Sequence, residues 1–282
     1  MDSKGNFITT KPKDEVVAKY IDYYYFHMSD DVSFSRKFFF YPNYKHALTV
    51  YKGSDVSFTV DSSLVNPSNE KNVVALYSVN TEKNFKVELN GVFNKIGIVF
   101  NPLGINHFLK QPLGEFWNRD LFKFEYFGSD FTALSQGVFN EPDADKKTLL
   151  LDAFFREKYC GFDDIVVKKA MTEILNSNGS VKVEELSDTL GVNRKTLLRL
   201  FKKHLCSSVE EYKKLVMFRN ALNYSQQMGG DASLTDVALY SLYYDQAHYI
   251  KHFKSVTKQS PKTLLSKLTK LGNQEVYWNF ED

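Results

Sequence analysis

The chain has few of the features that mark a secreted or membrane-spanning protein. Among its 282 residues are two cysteines, Cys160 and Cys206, whose spacing fits neither a disulfide framework nor a cysteine zinc site. Residues 1–19 lack the apolar core of a signal peptide, and no apolar run has the length needed to span a bilayer. We therefore expect a cytoplasmic protein. A hydrophobic content of 43% is enough for packed cores, and the length suits two domains.

Acidic residues are missing from two stretches of the C-terminal half. The net charge is only +2, but residues 166–282 carry 17 Lys and Arg against 12 Asp and Glu, whereas residues 1–165 carry 19 against 22. Residues 194–204 contain five Lys or Arg and no acid, and residues 246–274 contain six lysines and no acid. The alternative explanation of these stretches is a solvated helix face, but such faces usually carry both positive and negative side chains. These stretches therefore favour contact with phosphate.

Each acid-free stretch lies in one copy of a short repeat. At an offset of 52 positions, Arg199 matches Lys251 and Phe201 matches Phe253. Each copy predicts a short helix, a turn and a cationic helix, which is the pattern of a helix-turn-helix. Two such units in one chain predict a protein that reads DNA at two places.

The first unit provides one predicted DNA-reading helix. Gly191 suits the tight turn, where a residue without a β-carbon is favoured, and Asn193 is a good N-cap for the helix that follows. Arg199 is the natural reader of guanine, because a guanidinium pairs with two acceptors on its major-groove edge. The predicted inward residues are Leu197, Leu200 and Phe201. The predicted base contacts are Lys195, Leu198 and Arg199. The predicted phosphate contacts are Arg194, Lys202 and Lys203.

The second unit provides the other predicted reading helix, with Asp245 as its N-cap. Gln246 suits adenine, and Lys251 suits guanine or phosphate. The spacing of His248 and His252 is also found in metal ligands, but no third ligand lies within reach in the sequence, so we expect no metal. The predicted base contacts are Gln246, Ala247, His248 and Lys251. The predicted phosphate contact is Lys254.

A single long helix is predicted between the two units, from Val209 to Met228. About 19 residues at ~1.5 Å each give a rod of roughly 28 Å. Successive major grooves on one face of B-DNA lie ~34 Å apart, so this rod can hold two reading helices near that spacing. Gly229-Gly230 is expected to end the rod, and Ser233 to cap the next helix.

Residues from about 181 to 268 resemble the DNA-binding domain of the AraC family of bacterial transcription regulators. The resemblance rests on Leu190-Gly191-Val192-Asn193, on the run from Tyr244 to Lys254, and on Ser260-Pro261. It implies that one chain contacts two adjacent major grooves through two recognition helices. It also implies a separate N-terminal domain for ligand sensing or dimerisation, and contact with RNA polymerase if the protein is an activator.

Five positions depart from the family pattern. Leu242-Tyr243 stands where the family usually has Gly-Phe, and Val209 stands where it usually has Pro. Cys206 and Lys258 stand in the turns after the recognition helices, where the family usually has Gly. None of these changes removes a predicted DNA-facing residue, but Leu242 could shift the approach of the second helix.

The N-terminal half favours strands, including residues 58–60, 73–77 and 96–100, although residues 16–28 could instead form a helix. From Pro142 the pattern becomes helical, with a helix over residues 144–159. We therefore predict an α+β protein with a β-rich regulatory domain over residues 1–160. An all-α domain over residues 161–282 would hold two helix-turn-helix units joined by a long helix.

The run Gly97–Gly104, followed by His107, resembles a sensor-like domain often found ahead of AraC-type domains, and that domain is often a cupin-like barrel. A catalytic cupin would need a His-x-His pair with further His or Glu, whereas His27, His46 and His107 are single and far apart. We therefore expect no cofactor, no catalytic residue and no enzyme. A small-molecule-processing, cupin-like N-terminal half remains the alternative.

Aromatic residues are dense in the N-terminal half, as in Tyr23-Tyr24-Tyr25-Phe26 and Phe38-Phe39-Phe40-Tyr41. The simpler interpretation is that these side chains pack in the core between strands. The alternative is that they line a pocket for an apolar or aromatic effector. The function predicted from the whole sequence is a DNA-binding transcription regulator with double-stranded DNA as partner, and with a small-molecule effector and a homodimer as further expectations. A rival is a protein-interaction adaptor that no longer binds DNA.

Overall fold

The computed structural model describes residues 5–70, 72–79, 83–117, 121–228, 232–271 and 276–281, and within these it has twelve strands and nine α-helices. The strands are β1 (Asn6–Thr10), β2 (Ile21–Ser29), β3 (Ser35–Phe40), β4 (Ala47–Lys52), β5 (Ser54–Phe58), β6 (Ser62–Pro67), β7 (Val73–Ser78), β8 (Phe85–Asn90), β9 (Phe93–Phe100), β10 (Leu121–Lys123), β11 (Leu268–Leu271) and β12 (Val276–Glu281). The helices are α1 (Gly128–Asn140), α2 (Ala144–Lys158), α3 (Ile165–Asn176), α4 (Val183–Thr189), α5 (Arg194–Leu205), α6 (Val209–Gln227), α7 (Leu234–Tyr240), α8 (Gln246–Thr257) and α9 (Pro261–Leu265). Short 3₁₀ helices cover Val17–Lys19, Gly104–Phe108 and Leu113–Glu115.

Ten of the strands precede α1, and the strands form two six-stranded sheets. Sheet A has the order β1-β2-β9-β4-β7-β10, and sheet B has the order β11-β12-β3-β8-β6-β5. All neighbours are antiparallel except β6 and β8, which are parallel. The predicted β-rich N-terminal region is confirmed, and it consists of two sheets rather than one closed barrel.

The alternation of side chains along the strands of sheet A builds two cores. Ile96 and Ile98 of β9 join the helices α1 and α2 through residues such as Phe155, whereas Phe93 on the other face joins residues of sheet B such as Phe38. Sheet A therefore lies between sheet B and the α1–α2 pair, with both of its faces buried. This explains why its strands contain dense apolar runs.

The helices from α3 to α9 form two further cores, one for each helix-turn-helix unit. The long helix α6 contributes Tyr212 and Val216 to the first core, and Phe218 and Leu222 to the second. It begins with a capping box in which Ser208 accepts from the backbone N–H of Glu211. The predicted helical C-terminal region with one connecting helix is confirmed. The predicted stop at Gly229-Gly230 lies outside the described residues.

Three features differ from the expectations drawn from the sequence. Residues 16–28 form a short 3₁₀ helix and the strand β2 rather than one helix, because β2 is buried on both faces and so has no polar alternation. Residue 58 ends β5, so the predicted strand over residues 58–60 does not form there. After α9, the chain adds β11 and β12, and β12 pairs with β3 of the N-terminal region.

In the part of the chain that the structure describes, no helix is long and apolar enough to cross a bilayer.

Candidate nucleic-acid interface

The first unit consists of α4, a turn and α5. Gly191 has a φ of +64°, which a residue without a β-carbon adopts at little cost. Asn193 caps α5, because its side chain accepts from the backbone N–H of Thr196 at 2.8 Å. Leu197 and Phe201 are fully buried in the first core, which turns the opposite face of α5 outward. The predicted cap and the predicted inward side chains are therefore confirmed.

The outward face of α5 carries the predicted contact residues. Lys195, Arg199 and Lys203 are exposed, and Leu198 retains 42% of its accessible surface. The other two predicted contacts already have partners within the chain. Arg194 pairs with Glu184 at 2.7 Å. The Lys202 ammonium lies 3.5 Å from a carboxylate oxygen of Glu211 and 5.3 Å from the ring centre of Trp117.

The second unit consists of α7, a turn and α8. Asp245 caps α8 by accepting from the backbone N–H of His248 at 2.7 Å, as predicted, and Ser233 caps α7 with a capping box. Tyr249 and Phe253 are fully buried in the second core. The predicted contact residues are all exposed on the other side of the helix, and they are Gln246, Ala247, His248, Lys251 and Lys254.

Two side chains in the second unit touch these contact residues, and neither contact could be predicted from residue type and spacing. The Thr235 hydroxyl on α7 lies 3.1 Å from Oε1 of Gln246. The buried Tyr243 ring packs edge-on against the ring of His248, with 5.3 Å between centroids. The same Tyr243 hydroxyl lies 2.7 Å from Nδ1 of His252. Burial lowers the pKa of His252 to about 4, with smaller effects from His248 and Lys214, so His252 is neutral at pH 7.

Three of the five departures from the family pattern fall at backbone positions with positive φ. Cys206 after α5 has φ +56°, Lys258 after α8 has φ +61°, and Leu242 in the second turn has φ +59°. These are left-handed conformations that favour glycine. The backbone therefore keeps the shape that glycine would take, although a side chain is present at each position.

Groups from the N-terminal region reach the C-terminal end of α5. Asn106 donates from its side-chain amide to the backbone oxygen of His204 at 3.0 Å. Gly114 packs so closely that a β-carbon there would lie 2.7 Å from the backbone oxygen of Lys202. Cys206, just beyond the helix, is buried in the core of sheet A and the α1–α2 pair. Helix α5 is therefore held at its C-terminal end by residues that precede it by about a hundred positions.

A second contact of the same kind holds the end of α8. Asn84 donates from its backbone N–H to the backbone oxygen of Val256 at 3.1 Å, and from its side chain to the oxygen of Thr257 at 3.4 Å. The last carbonyl groups of a helix have no partner within the helix, so these bonds satisfy two backbone oxygens of buried residues. The sequence offered no local signal for either asparagine, because both act on residues far away in the chain.

A cavity of about 630 Å³ lies between the strands of the N-terminal region and α6. Aromatic side chains form part of its wall, and they include Tyr23, Tyr25, Phe39 and Tyr51. The half-buried Arg219 of α6 also lines it and donates to the backbone oxygens of Tyr41 and Pro42. Burial lowers the pKa of Arg219 to about 10, which still leaves it charged at pH 7.

A small charged group borders this cavity. Asp22 pairs with Lys45 at 2.7 Å and with Lys11 at 3.0 Å. Burial raises the pKa of Asp22, but the hydrogen bonds from Lys45 and Lys11 outweigh it and hold the pKa below its usual value. With Arg219, the lining therefore carries three cationic side chains and one carboxylate. The net charge of the lining is therefore positive, and aromatic side chains form part of the same lining.

The three N-terminal histidines lie in different surroundings. His46 has Nδ1 3.2 Å from the Tyr77 hydroxyl, His107 stacks on Tyr20 at 3.7 Å between ring centroids, and His27 packs against Phe7. Burial lowers the pKa of His46 and of His107 to about 4. Among the residues with described placement, no three His, Cys, Asp or Glu side chains are grouped so that they could hold a metal ion.

Residues 186–267 match the family model described as a helix-turn-helix domain. No curated protein matches the chain. The structure of ToxT from Vibrio cholerae is similar at 14% identity, over 93% of this chain and 97% of that chain, with a TM-score of 0.45. A second structure, of wild-type ToxT from Vibrio cholerae strain SCE256 with bound unsaturated fatty acid, is similar at 15% identity, over 85% of this chain and 97% of that chain, with a TM-score of 0.47. Identities and TM-scores at these levels carry no function from ToxT to this chain.

Proposed function

We propose that the protein is a sequence-specific DNA-binding transcription regulator of the AraC type without catalytic activity, and the match of residues 186–267 to a helix-turn-helix domain model supports this proposal. The observation that carries the proposal is the pair of capped helices α5 and α8, each of which buries its apolar face and exposes cationic and amide side chains. Such side chains on a recognition helix read base edges in the major groove.

Each recognition helix has a proposed division of roles. Lys195, Leu198 and Arg199 contact bases from α5, and the contacts from α8 are Gln246, Ala247, His248 and Lys251. The proposed phosphate contacts are Arg194, Lys202, Lys203 and Lys254. The exposure of Lys195, Arg199 and Lys203 supports this division. To bind phosphate, Arg194 would have to leave Glu184, and Lys202 would have to leave Glu211. We therefore expect these two side chains to contribute less to DNA affinity than the other phosphate contacts.

We propose that residues 1–160 form the regulatory domain and residues 161–282 the DNA-binding domain. Support comes from the cores, since α1 and α2 pack on sheet A whereas α3 packs with α5 and α6. The contacts of Asn106 and Asn84 with the ends of α5 and α8 offer a route by which the first domain can modulate the second. In this proposal the protein is a cytoplasmic bacterial regulator that would contact RNA polymerase if it is an activator, and a homodimer is a further expectation.

We further propose that the cavity beside α6 holds a small-molecule effector. Its aromatic walls suit an apolar or aromatic body, and the surplus of cationic side chains suits an anionic group. Because Arg219 belongs to the helix that joins the two DNA-reading units, a ligand at this side chain would act on the connection between them.

The DNA-binding proposal is tested by selection of bound sequences from a random duplex library with the full-length protein at two salt concentrations. The expected motif has two half-elements about one helical turn apart, and the affinity should fall steeply with salt. The matched control is the double variant Arg199→Ala/Lys251→Ala, which should select no motif but retain salt-dependent binding. No enrichment by the wild type, or an affinity that does not change with salt, would support the adaptor instead.

The effector proposal is tested with the fluorescent anion 1-anilinonaphthalene-8-sulfonate, which combines an aromatic body with a negative charge. Lys45→Gln should weaken its binding about 3- to 10-fold, because one cationic side chain of the lining is lost. Lys123→Gln is the control, since Lys123 is exposed on β10 and does not line the cavity. Equal binding by both variants would place the probe elsewhere on the protein.

A further inference from the structure

The second helix-turn-helix unit contains a polar contact that the first unit cannot form. In the second unit, the Tyr243 hydroxyl lies 2.7 Å from Nδ1 of His252, between the turn and the middle of α8. In the turn the offset between the units is 51, because Leu242 and Gly191 share the left-handed backbone conformation, so Tyr243 matches Val192. Within the helix the offset is 52, so His252 matches Leu200, and both Val192 and Leu200 pack against the first core. The two units therefore differ in how the turn contacts the helix that follows it. In the second unit a hydrogen bond joins them, whereas in the first unit the contact is apolar.

The protonation states of this pair suit a stable neutral hydrogen bond. Burial raises the pKa of the Tyr243 hydroxyl, and Tyr249 raises it further, so the phenol keeps its proton. His252 is neutral at pH 7, because burial, with His248 and Lys214, lowers its pKa to about 4. With the imidazole proton on Nε2 the phenol donates to Nδ1, and with the proton on Nδ1 the phenol oxygen accepts it, so either tautomer of neutral His252 makes this bond.

Tyr243 contacts one whole turn of the recognition helix. Its ring packs against His248 at 5.3 Å, against Tyr249 at 5.3 Å and against His252 at 5.7 Å between centroids. Tyr243 itself is only 4% exposed, and it follows Leu242, whose left-handed backbone turns the chain toward α8. Tyr243 therefore contacts His252 through its hydroxyl and His248, a proposed base contact, through its ring.

We infer that Tyr243 is a positioning residue for base reading by α8, acting through its hydrogen bond to His252. This inference rests on the proposed DNA-binding function. The bond fixes the rotation of α8 relative to the turn, and that rotation sets where His248 and Gln246 meet the base edges. Contact geometry in such sites must hold within about 0.5 Å, so a helix free to rotate loses discrimination before it loses general affinity.

The test uses Tyr243→Phe in the full-length protein, which keeps the ring and removes only the hydroxyl. Affinities are measured for the selected duplex and for duplexes with single base changes in each half-element. Discrimination should fall about 3- to 10-fold in the half-element read by α8 and stay unchanged in the other. Tyr240→Phe is the matched control, because Tyr240 is a half-exposed tyrosine of α7 whose ring stacks on Tyr224.

A double-mutant cycle separates positioning from simple destabilisation. His252→Leu places the residue of the first unit at this position, and in that background Tyr243→Phe should cause no further loss of discrimination. Two results would overturn this inference and leave the proposed function standing. One is equal base discrimination by Tyr243→Phe and the wild type. The other is an equal loss of discrimination in both half-elements together with a lowered melting temperature. A wild-type protein without any base preference would overturn the proposed function, and this inference with it.

Discussion

Lys258 offers a direct measurement of backbone strain at the end of the second recognition helix. It is exposed, its φ is +61°, and its backbone N–H donates to the oxygen of Lys254 at 3.0 Å. A side chain in the left-handed region costs roughly 1–2 kcal/mol, which glycine avoids. Against this, the Lys258 ammonium donates to the oxygen of Ser255 at 3.1 Å, and a positive charge near a helix C-terminus contributes about 0.3–1 kcal/mol. We therefore expect Lys258→Gly to stabilise the protein by about 0.5–1 kcal/mol.

The matched variant Lys258→Ala isolates the backbone contribution. Alanine loses the charge and the side-chain hydrogen bond as glycine does, but it keeps the β-carbon that makes positive φ unfavourable. The glycine variant should be more stable than the alanine variant by about 1 kcal/mol or more. This corresponds to about 2–4 °C in melting temperature for chains of comparable size. Urea unfolding followed by helical circular dichroism measures the difference, and equal stabilities of the two variants would refute the reasoning.

Three further predictions concern single side chains. Arg199→Ala should cost about 1–3 kcal/mol at the selected duplex and relax the preference at one base position in a binding titration, whereas an equal loss on every duplex would count against base reading. Lys203→Ala should weaken binding uniformly and lower the slope of log affinity against log salt by about one unit, and an unchanged slope would remove it from the phosphate contacts. Burial lowers the pKa of Lys95 to about 7, so between that pH and about 10 the unfolded chain holds more protons on this group and stability should rise with pH. Lys95→Met should lower this rise by up to about 1.4 kcal/mol per pH unit in urea unfolding at pH 7 and 9, and equal slopes would contradict it.

Local chemistry in the sequence was enough to predict the recognition helices. Asn193 and Asp245 each accept a hydrogen bond from a residue three positions later, so their role as caps depends only on neighbours in the chain. The apolar spacing that buries Leu197 and Phe253 is likewise a property of a single helix. For these elements the repeat and the capping residues were sufficient.

Long-range contacts could not be predicted in this way. Asp152 looks like a polar residue of a helix, yet it is buried and accepts from the backbone N–H of Lys13 and from the Tyr24 hydroxyl. Asn84 and Asn106 look like loop residues, yet they hold the ends of the two recognition helices. Each role depends on a partner far away in sequence, and residue type and spacing carry no trace of that partner. The tie between Tyr243 and His252 is closer in sequence, but it required the turn geometry to be known.

The pairing of β12 with β3 has a consequence for the protein during its synthesis. Residues 35–40 leave the ribosome early, whereas residues 276–281 follow all of the helices. Until they arrive, one edge of β3 offers unpaired N–H and C=O groups, which are a template for strands of other chains. A product truncated before residue 268 would keep that edge open permanently. We therefore expect nascent or clipped forms of this protein to aggregate more readily than the full chain.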